Sequence, residues 1–134
     1  MKFKIMSLLL IISLLLSACT GTTAAVTEEE IVQSYEQAGY LVYSGKYDSA
    51  LEHGITGYIK AERTDGAYIY FTIFESETAA AAYKEQYCHS GILGLFSVIF
   101  GEPSWVRFQV YGNMLVQYEN AEIYDIFENL LKTK

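Results

Sequence analysis

The chain has 134 residues, 51% of them hydrophobic, with two cysteines, nine basic and 16 acidic residues and a formal net charge of −7. That balance excludes functions that rest on a basic footprint, both phosphate neutralisation along a nucleic acid and electrostatic docking on anionic lipid. Two cysteines also exclude the disulfide framework on which many small secreted scaffolds depend.

The first element is a leader. Lys2 and Lys4 give a positive start, Ile5 to Leu16 is an apolar run broken only by Ser7 and Ser13, and small residues follow. A positive n-region, an apolar h-region and a small-residue cut site are the marks of a secretory signal peptide. A membrane span would need about 20 predominantly apolar residues, and this run is shorter. The closing Leu16-Ser17-Ala18-Cys19 resembles the lipobox of bacterial lipoproteins. The resemblance implies cleavage between Ala18 and Cys19, a diacylglyceryl group (palmitate or a similar acid) on the Cys19 sulfur, and often acylation of the new amino terminus. Two acyl chains suffice for a stable anchor where one does not. The resemblance thus implies a cell-membrane, lipid-anchored protein facing the extracytoplasmic side. With Thr20 following the cysteine, the family's sorting pattern implies the outer membrane where a cell has two.

Residues 1–18 are therefore expected to be removed, 19–26 to be the lipidated cysteine and a short tether, and 27–134 to form one α+β domain. Without Lys2 and Lys4, seven basic residues face the 16 acidic ones, a formal −9. Thr20 to Val26 is small and uncharged and spans at most about 25 Å, so the domain stays near the bilayer. Cys88 is left as the one free thiol, and a buried, inert position suits it.

Thr27-Glu28-Glu29-Glu30 has the spacing of a capping box and opens a helix with Ile31, Tyr35 and Ala38 on its inner stripe and Gly39 as its stop. Tyr40 to Tyr43 reads as a short strand and Ser44 to Gly54 as a loop with one helical turn. Gly57 to Ala61 and Ala67 to Phe74 form a hairpin around Asp65-Gly66. Ser76 caps a helix from Glu77 to Tyr87 with Ala79, Ala82, Tyr83 and Tyr87 at helical spacing. Ile92 to Phe100 is the most apolar stretch after the leader and reads as core or as an apolar contact loop. Trp105 to Tyr111 and Met114 to Glu119 form a second hairpin on the two-residue turn Gly112-Asn113. Asn120 caps a last helix with Ile123, Ile126, Phe127, Leu130 and Leu131 on one face.

The order α-β-β-β-α-β-β-α predicts an antiparallel four- to five-stranded sheet with helices on one face, and its repeated strand–strand–helix pattern makes a duplicated ββα unit a candidate. Alternation places Ile59, Ile69, Phe71, Ile73, Val106, Phe108, Val110, Met114 and Val116 under the helices. The opposite face then carries Tyr58, Lys60, Tyr68, Tyr70, Thr72, Trp105, Arg107, Gln109, Tyr111 and Gln117. Tyrosine, tryptophan and arginine are the residues enriched at binding hot spots. Tyr58, Lys60, Tyr68, Tyr70, Trp105, Arg107, Gln109 and Tyr111 are thus the candidate binding face, for a protein, a peptide, a cell-wall glycan or a second copy.

Catalysis has a thinner basis. His53, near Asp48 and Glu52, and His89, beside Cys88, are the imidazoles on which a small enzyme or a metal-dependent protein would centre. Neither has the spacing of a metal site or of a nucleophile with its base. There is no Gly-rich phosphate loop, Gly-x-Ser-x-Gly or His-Glu-x-x-His, so no cofactor is implied. The sequence favours a non-catalytic binding module.

Overall fold

The computed structural model describes residues 25–88 and 106–134. Cys19, His89, Ile92 to Phe100 and Trp105 lie outside them. Helix α1 (Glu28–Gln37) leads to β1 (Leu41–Lys46), β2 (Ile55–Glu62), β3 (Tyr68–Phe74), α2 (Glu77–Tyr87), β4 (Arg107–Tyr111), β5 (Met114–Tyr118) and α3 (Ala121–Lys132). The strands form one antiparallel sheet in the order β1-β2-β3-β5-β4. The α+β class, the strand number and the element order are those the sequence predicts.

Helix α1 begins with the capping box. The Thr27 hydroxyl accepts from the Glu30 N–H at 3.3 Å, and the Glu30 carboxylate accepts from the Thr27 N–H at 2.9 Å. Val26 is buried and joins the core beside Ile31. An apolar residue before the cap that packs against the fourth helical residue is a hydrophobic staple, which fixes the angle at which the chain enters the helix. The expected tether therefore loses its last residue to the fold. At the other end of α1, Ala38 is an exposed C-cap rather than part of the inner stripe.

On the first face of the sheet, Ile59, Ala61, Ile69, Phe71, Ile73, Met114, Val116 and Tyr118 meet Ile31 and Tyr35 of α1 and Ile123 and Phe127 of α3. The Phe71 ring packs edge-on against both Tyr35 and Phe127, at centroid distances of 6.0 and 5.1 Å. The Tyr35 hydroxyl donates to the Ile123 carbonyl at 2.7 Å and so joins the two helices across the core. Burial pushes this phenol far above its ordinary pKa, so it remains a donor.

The second face is also covered in part. Phe74, Ala80 and Leu115 form a separate cluster with Ile55, Ala79, Tyr83, Phe108 and Val110, which places α2 opposite α1 and α3. The single helical face of the sequence reading is thus, among the described residues, two helices on one face and one on the other. In α2 the buried residue is Ala80, and Ala82 is exposed.

Strand β4 carries the main correction. Met114 pairs with Tyr111 and Val116 with Gln109, whereas Leu115 pairs with Val110 and Gln117 with Phe108. Directly opposed residues share a face. Val110 and Phe108 therefore lie under α2, and Tyr111, Gln109 and Arg107 lie on the α1–α3 face, the reverse of the sequence assignment. The cause is the turn. A two-residue loop pairs the residues that flank it, and Gly112 (φ 54°) takes the positive-φ position that such hairpins need. Apolar alternation misled because both faces of the sheet are partly covered.

The candidate duplication holds for the strands only. Phe71 pairs with Val116, and a two-fold axis normal to the sheet there would exchange the hairpins β2–β3 and β4–β5. Such an axis leaves each face in place, yet the helices that follow lie on opposite faces. Ser76 and Asn120 both cap their helix two residues after the strand ends. Phe74 ends its strand pointing to the second face and Tyr118 pointing to the first, and each helix follows that last side chain.

Two outcomes follow from this packing. Phe71→Ala is expected to destabilise the protein by about 3–5 kcal/mol, read as a lower urea midpoint. In the β2–β3 turn, Arg63 holds Asp65 at 2.7 Å, and the Ala67 N–H donates to the same carboxylate. The Arg63 hydrogen bond, then the Ala67 N–H, lower the Asp65 pKa to about 2. A depressed folded-state pKa stabilises above the unfolded value, and that contribution is lost as pH falls toward the folded value. Stability is expected to decline between about pH 4 and pH 2, and Asp65→Asn to flatten that part of the acid-unfolding curve.

Candidate binding face on the sheet

The part of the second face that α2 leaves open is built by β1, β2 and β3. Along β2, Tyr58, Lys60 and Glu62 point outward while Ile59 and Ala61 are buried; along β3, Tyr68, Tyr70 and Thr72 alternate with Ile69, Phe71 and Ile73. Register sets Tyr58 against Thr72, Lys60 against Tyr70 and Glu62 against Tyr68. The rings of Tyr58 and Tyr70 stack on the diagonal, 5.9 Å between centroids and 5° between planes. Tyr47 leans on Tyr58 at 6.3 Å, and Tyr43 stands exposed beside Lys60 across the β1–β2 pair.

One cation sits within this surface. Lys60 Nζ lies 5.7 Å from the centroid of the Tyr68 ring and donates to Glu62 at 2.8 Å. The ring quadrupole attracts such a cation. The Glu62 hydrogen bond raises the Lys60 pKa, so the ammonium form is favoured. Gln117 of β5 donates to the Tyr68 hydroxyl at 3.3 Å. Partial burial raises the Tyr70 pKa, with the neighbouring phenols acting in the same direction. The surface is therefore a set of phenol rings around a paired ammonium, with broad apolar contact area and polar tips.

Of the candidate residues, Tyr58, Lys60, Tyr68 and Tyr70 are brought together. Arg107, Gln109 and Tyr111 are not part of this surface. Gln109 donates to the Tyr118 hydroxyl at 3.1 Å and accepts from Tyr124 at 2.6 Å, which ties β4 to β5 and α3. Tyr111 packs edge-on against Phe127 at 5.6 Å. Tyr43 and Tyr47 are the members that the sequence reading missed. The signal was there: Leu41, Tyr43 and Tyr47 keep a two-residue period, but Ser44-Gly45-Lys46 has the composition of a loop, and β1 runs through it.

The histidine alternative gains little geometry. His53 has positive φ (65°) in a single 3-10 turn, shares a 3.1 Å hydrogen bond with the Tyr87 hydroxyl and lies edge-on to Tyr83 and Tyr87. Glu52, at 3.6 Å, is the carboxylate beside it. Burial pushes the Cys88 thiol up in pKa, away from the thiolate that a nucleophile needs. Among the described residues, no group of three or more His, Cys, Asp or Glu is placed to hold a metal ion, and no helix is long and apolar enough to cross a membrane.

No protein-family model matches the chain, and comparison with curated proteins and with solved structures finds no match.

The reassigned face of β4 has a measurable consequence. Gln109 is exposed on that face, yet Gln109→Ala removes two hydrogen bonds that tie β4 to β5 and α3 and is expected to lower stability by about 1 kcal/mol in urea unfolding. An exposed position without such bonds would change by no more than about 0.5 kcal/mol.

Proposed function

We propose that this chain is a lipid-anchored extracytoplasmic protein that acts as a non-catalytic binding module, with the β1–β3 tyrosine surface as its contact site. The anchor rests on the Leu16-Ser17-Ala18-Cys19 sequence and the leader before it. The binding role rests on one observation: Tyr58, Tyr68 and Tyr70 gather around Lys60 on the part of the sheet that no described helix covers. A stacked pair of phenols beside a ring-bound ammonium is the composition of a hot spot, with large rigid area, polar tips and little side-chain entropy to lose.

A protein or peptide partner fits this surface best. The rings present hydroxyls along their rim, and Lys60, already paired with Glu62, offers a partner a hydrogen-bonding edge rather than a bare charge. The short segment after Cys19 confines that partner to the neighbourhood of the bilayer.

The test is photocrosslinking of the full-length chain on intact cells, with the crosslinking residue at position 70 or at position 109. A discrete adduct from position 70 and none from position 109 is the expected result. Tyr58→Ala and Tyr70→Ala are each expected to weaken capture at least about tenfold, as hot-spot residues do. Adducts of glycan rather than protein mass would replace the partner class, and equal labelling from both positions would remove the site. Separately, Cys19→Ser is expected to shift the chain from the membrane fraction to the soluble extracytoplasmic fraction.

A further inference from the structure

Strand β1 is an edge. It pairs with β2 on one side, and no described strand pairs with the other. Natural edges are usually guarded by proline, bulges or charges along the strand. β1, Leu-Val-Tyr-Ser-Gly-Lys, has only Lys46 at its end. The Tyr47 N–H donates to the Thr56 carbonyl at 2.9 Å, one step beyond the Lys46–Gly57 pair. In an antiparallel ladder this makes Leu41, Tyr43, Gly45 and Tyr47 the residues whose peptide groups bond β2, and it turns those of Val42, Ser44 and Lys46 outward. The exposed apolar surface gathers on the same strand and the residue that follows it. Leu41 (60% exposed), Tyr43 (52%) and Tyr47 (39%) are three of the five exposed large hydrophobic side chains among the described residues.

We propose that β1 is a self-pairing edge, on which a second copy of this chain docks antiparallel about a two-fold axis at Ser44 and continues the sheet. In that register Ser44 faces Ser44, Val42 faces Lys46, Tyr43 faces Gly45 and Leu41 faces Tyr47. All three outward-facing residues of each copy are used, giving about six interchain hydrogen bonds. Every exposed apolar side chain of the strand gains a partner. Tyr43 arrives over Gly45, where the Tyr58 ring already overhangs the backbone so closely that a Cβ would lie 2.8 Å from it. The tyrosines of the two copies thereby become neighbours. A slip by two residues loses one of the three backbone pairs.

Charge selects the same arrangement. Helix α1 runs back along β1, with Glu28 3.6 Å from Lys46. Four strand residues cover about 13 Å, the length of about nine helical residues. Lys46 of the second copy therefore reaches the C-terminal turn of α1, where Glu36 and the last helix carbonyls favour a cation. The edge is complementary to itself in hydrogen bonds, apolar contacts and charge, and this favours a second copy over an unrelated peptide. The inference shares Tyr43 and Tyr47 with the tyrosine surface but requires no ligand there.

The test uses the full-length chain. In a hydrogen-bonded antiparallel pair the two Ser44 Cα atoms would lie about 5.5 Å apart, within disulfide range. Ser44→Cys in a Cys88→Ser background, under mild oxidant, is expected to give a band of twice the chain mass on a non-reducing gel. Thr64→Cys, in the exposed β2–β3 turn, is expected to stay monomeric. Ser44→Pro removes an outward N–H that β2 does not use and is expected to abolish the dimer in sedimentation of the detergent-solubilised chain, with the thermal unfolding transition kept. Should that variant fail to fold, Ser44→Lys places two ammonium groups on the axis and is expected to do the same. Crosslinking no stronger than at Thr64→Cys would overturn the proposal. So would an adduct of another mass, or a dimer that survives both Ser44 variants.

Discussion

The structure depends on how the Gly112-Asn113 turn pairs Tyr111 with Met114. That pairing decides which residues of β4 meet α3 and which meet α2, and so which apolar groups build each cluster. Asn113 extends its influence to the next strand. Its carbonyl accepts from the Phe74 N–H and its side-chain amide donates to the Phe74 carbonyl, each at 2.8 Å. The residue that sets the register of one hairpin thus also clamps the end of the other. Phe74 then turns inward and is fully buried under α2.

Local chemistry was legible in the sequence wherever a short-range rule governs it. The capping box at Thr27, the caps at Ser76 and Asn120, and both hairpin turns are read from residues within a few positions of one another, and all of them form. What was not legible depends on which face a strand covers. Hydrophobic alternation identifies a face only when one side of the sheet is wet. Here Val110 and Leu115 lie under α2 while Met114 and Val116 lie under α3, so alternation and turn geometry disagree along β4. The turn decides, because a one-residue slip would reverse every side chain. Val26 shows the same limit on a smaller scale: its small, uncharged neighbours suggest a tether, and only the position of Ile31 reveals a staple.

Twelve tyrosines make this residue type ambiguous in the sequence. Tyr35 and Tyr118 are buried, and Tyr124 stacks on Tyr118 at 4.3 Å, with their hydroxyls given to internal partners. Tyr58, Tyr68 and Tyr70 stand half-buried on the other side of the same sheet. A phenol serves both settings because it offers an apolar body and one polar tip. Which setting applies is fixed by strand parity: Tyr58, Lys60, Tyr68 and Tyr70 share one face, as alternation along β2 and β3 predicts, while Arg107, Gln109 and Tyr111 lie on the other.

The strand order also bears on how fast the chain finds this arrangement. Among the described residues, three of the four strand pairings, β1–β2, β2–β3 and β4–β5, join neighbours in sequence, and β3–β5 joins distant segments. Local pairings form quickly, and distant ones wait on loop closure. Assembly of the sheet therefore reduces to one slow encounter, the docking of a C-terminal hairpin on an N-terminal three-stranded meander. The contacts of Asn113 with Phe74 lie at that seam. A residue that looks like a simple turn former is thus also placed to influence the kinetic barrier.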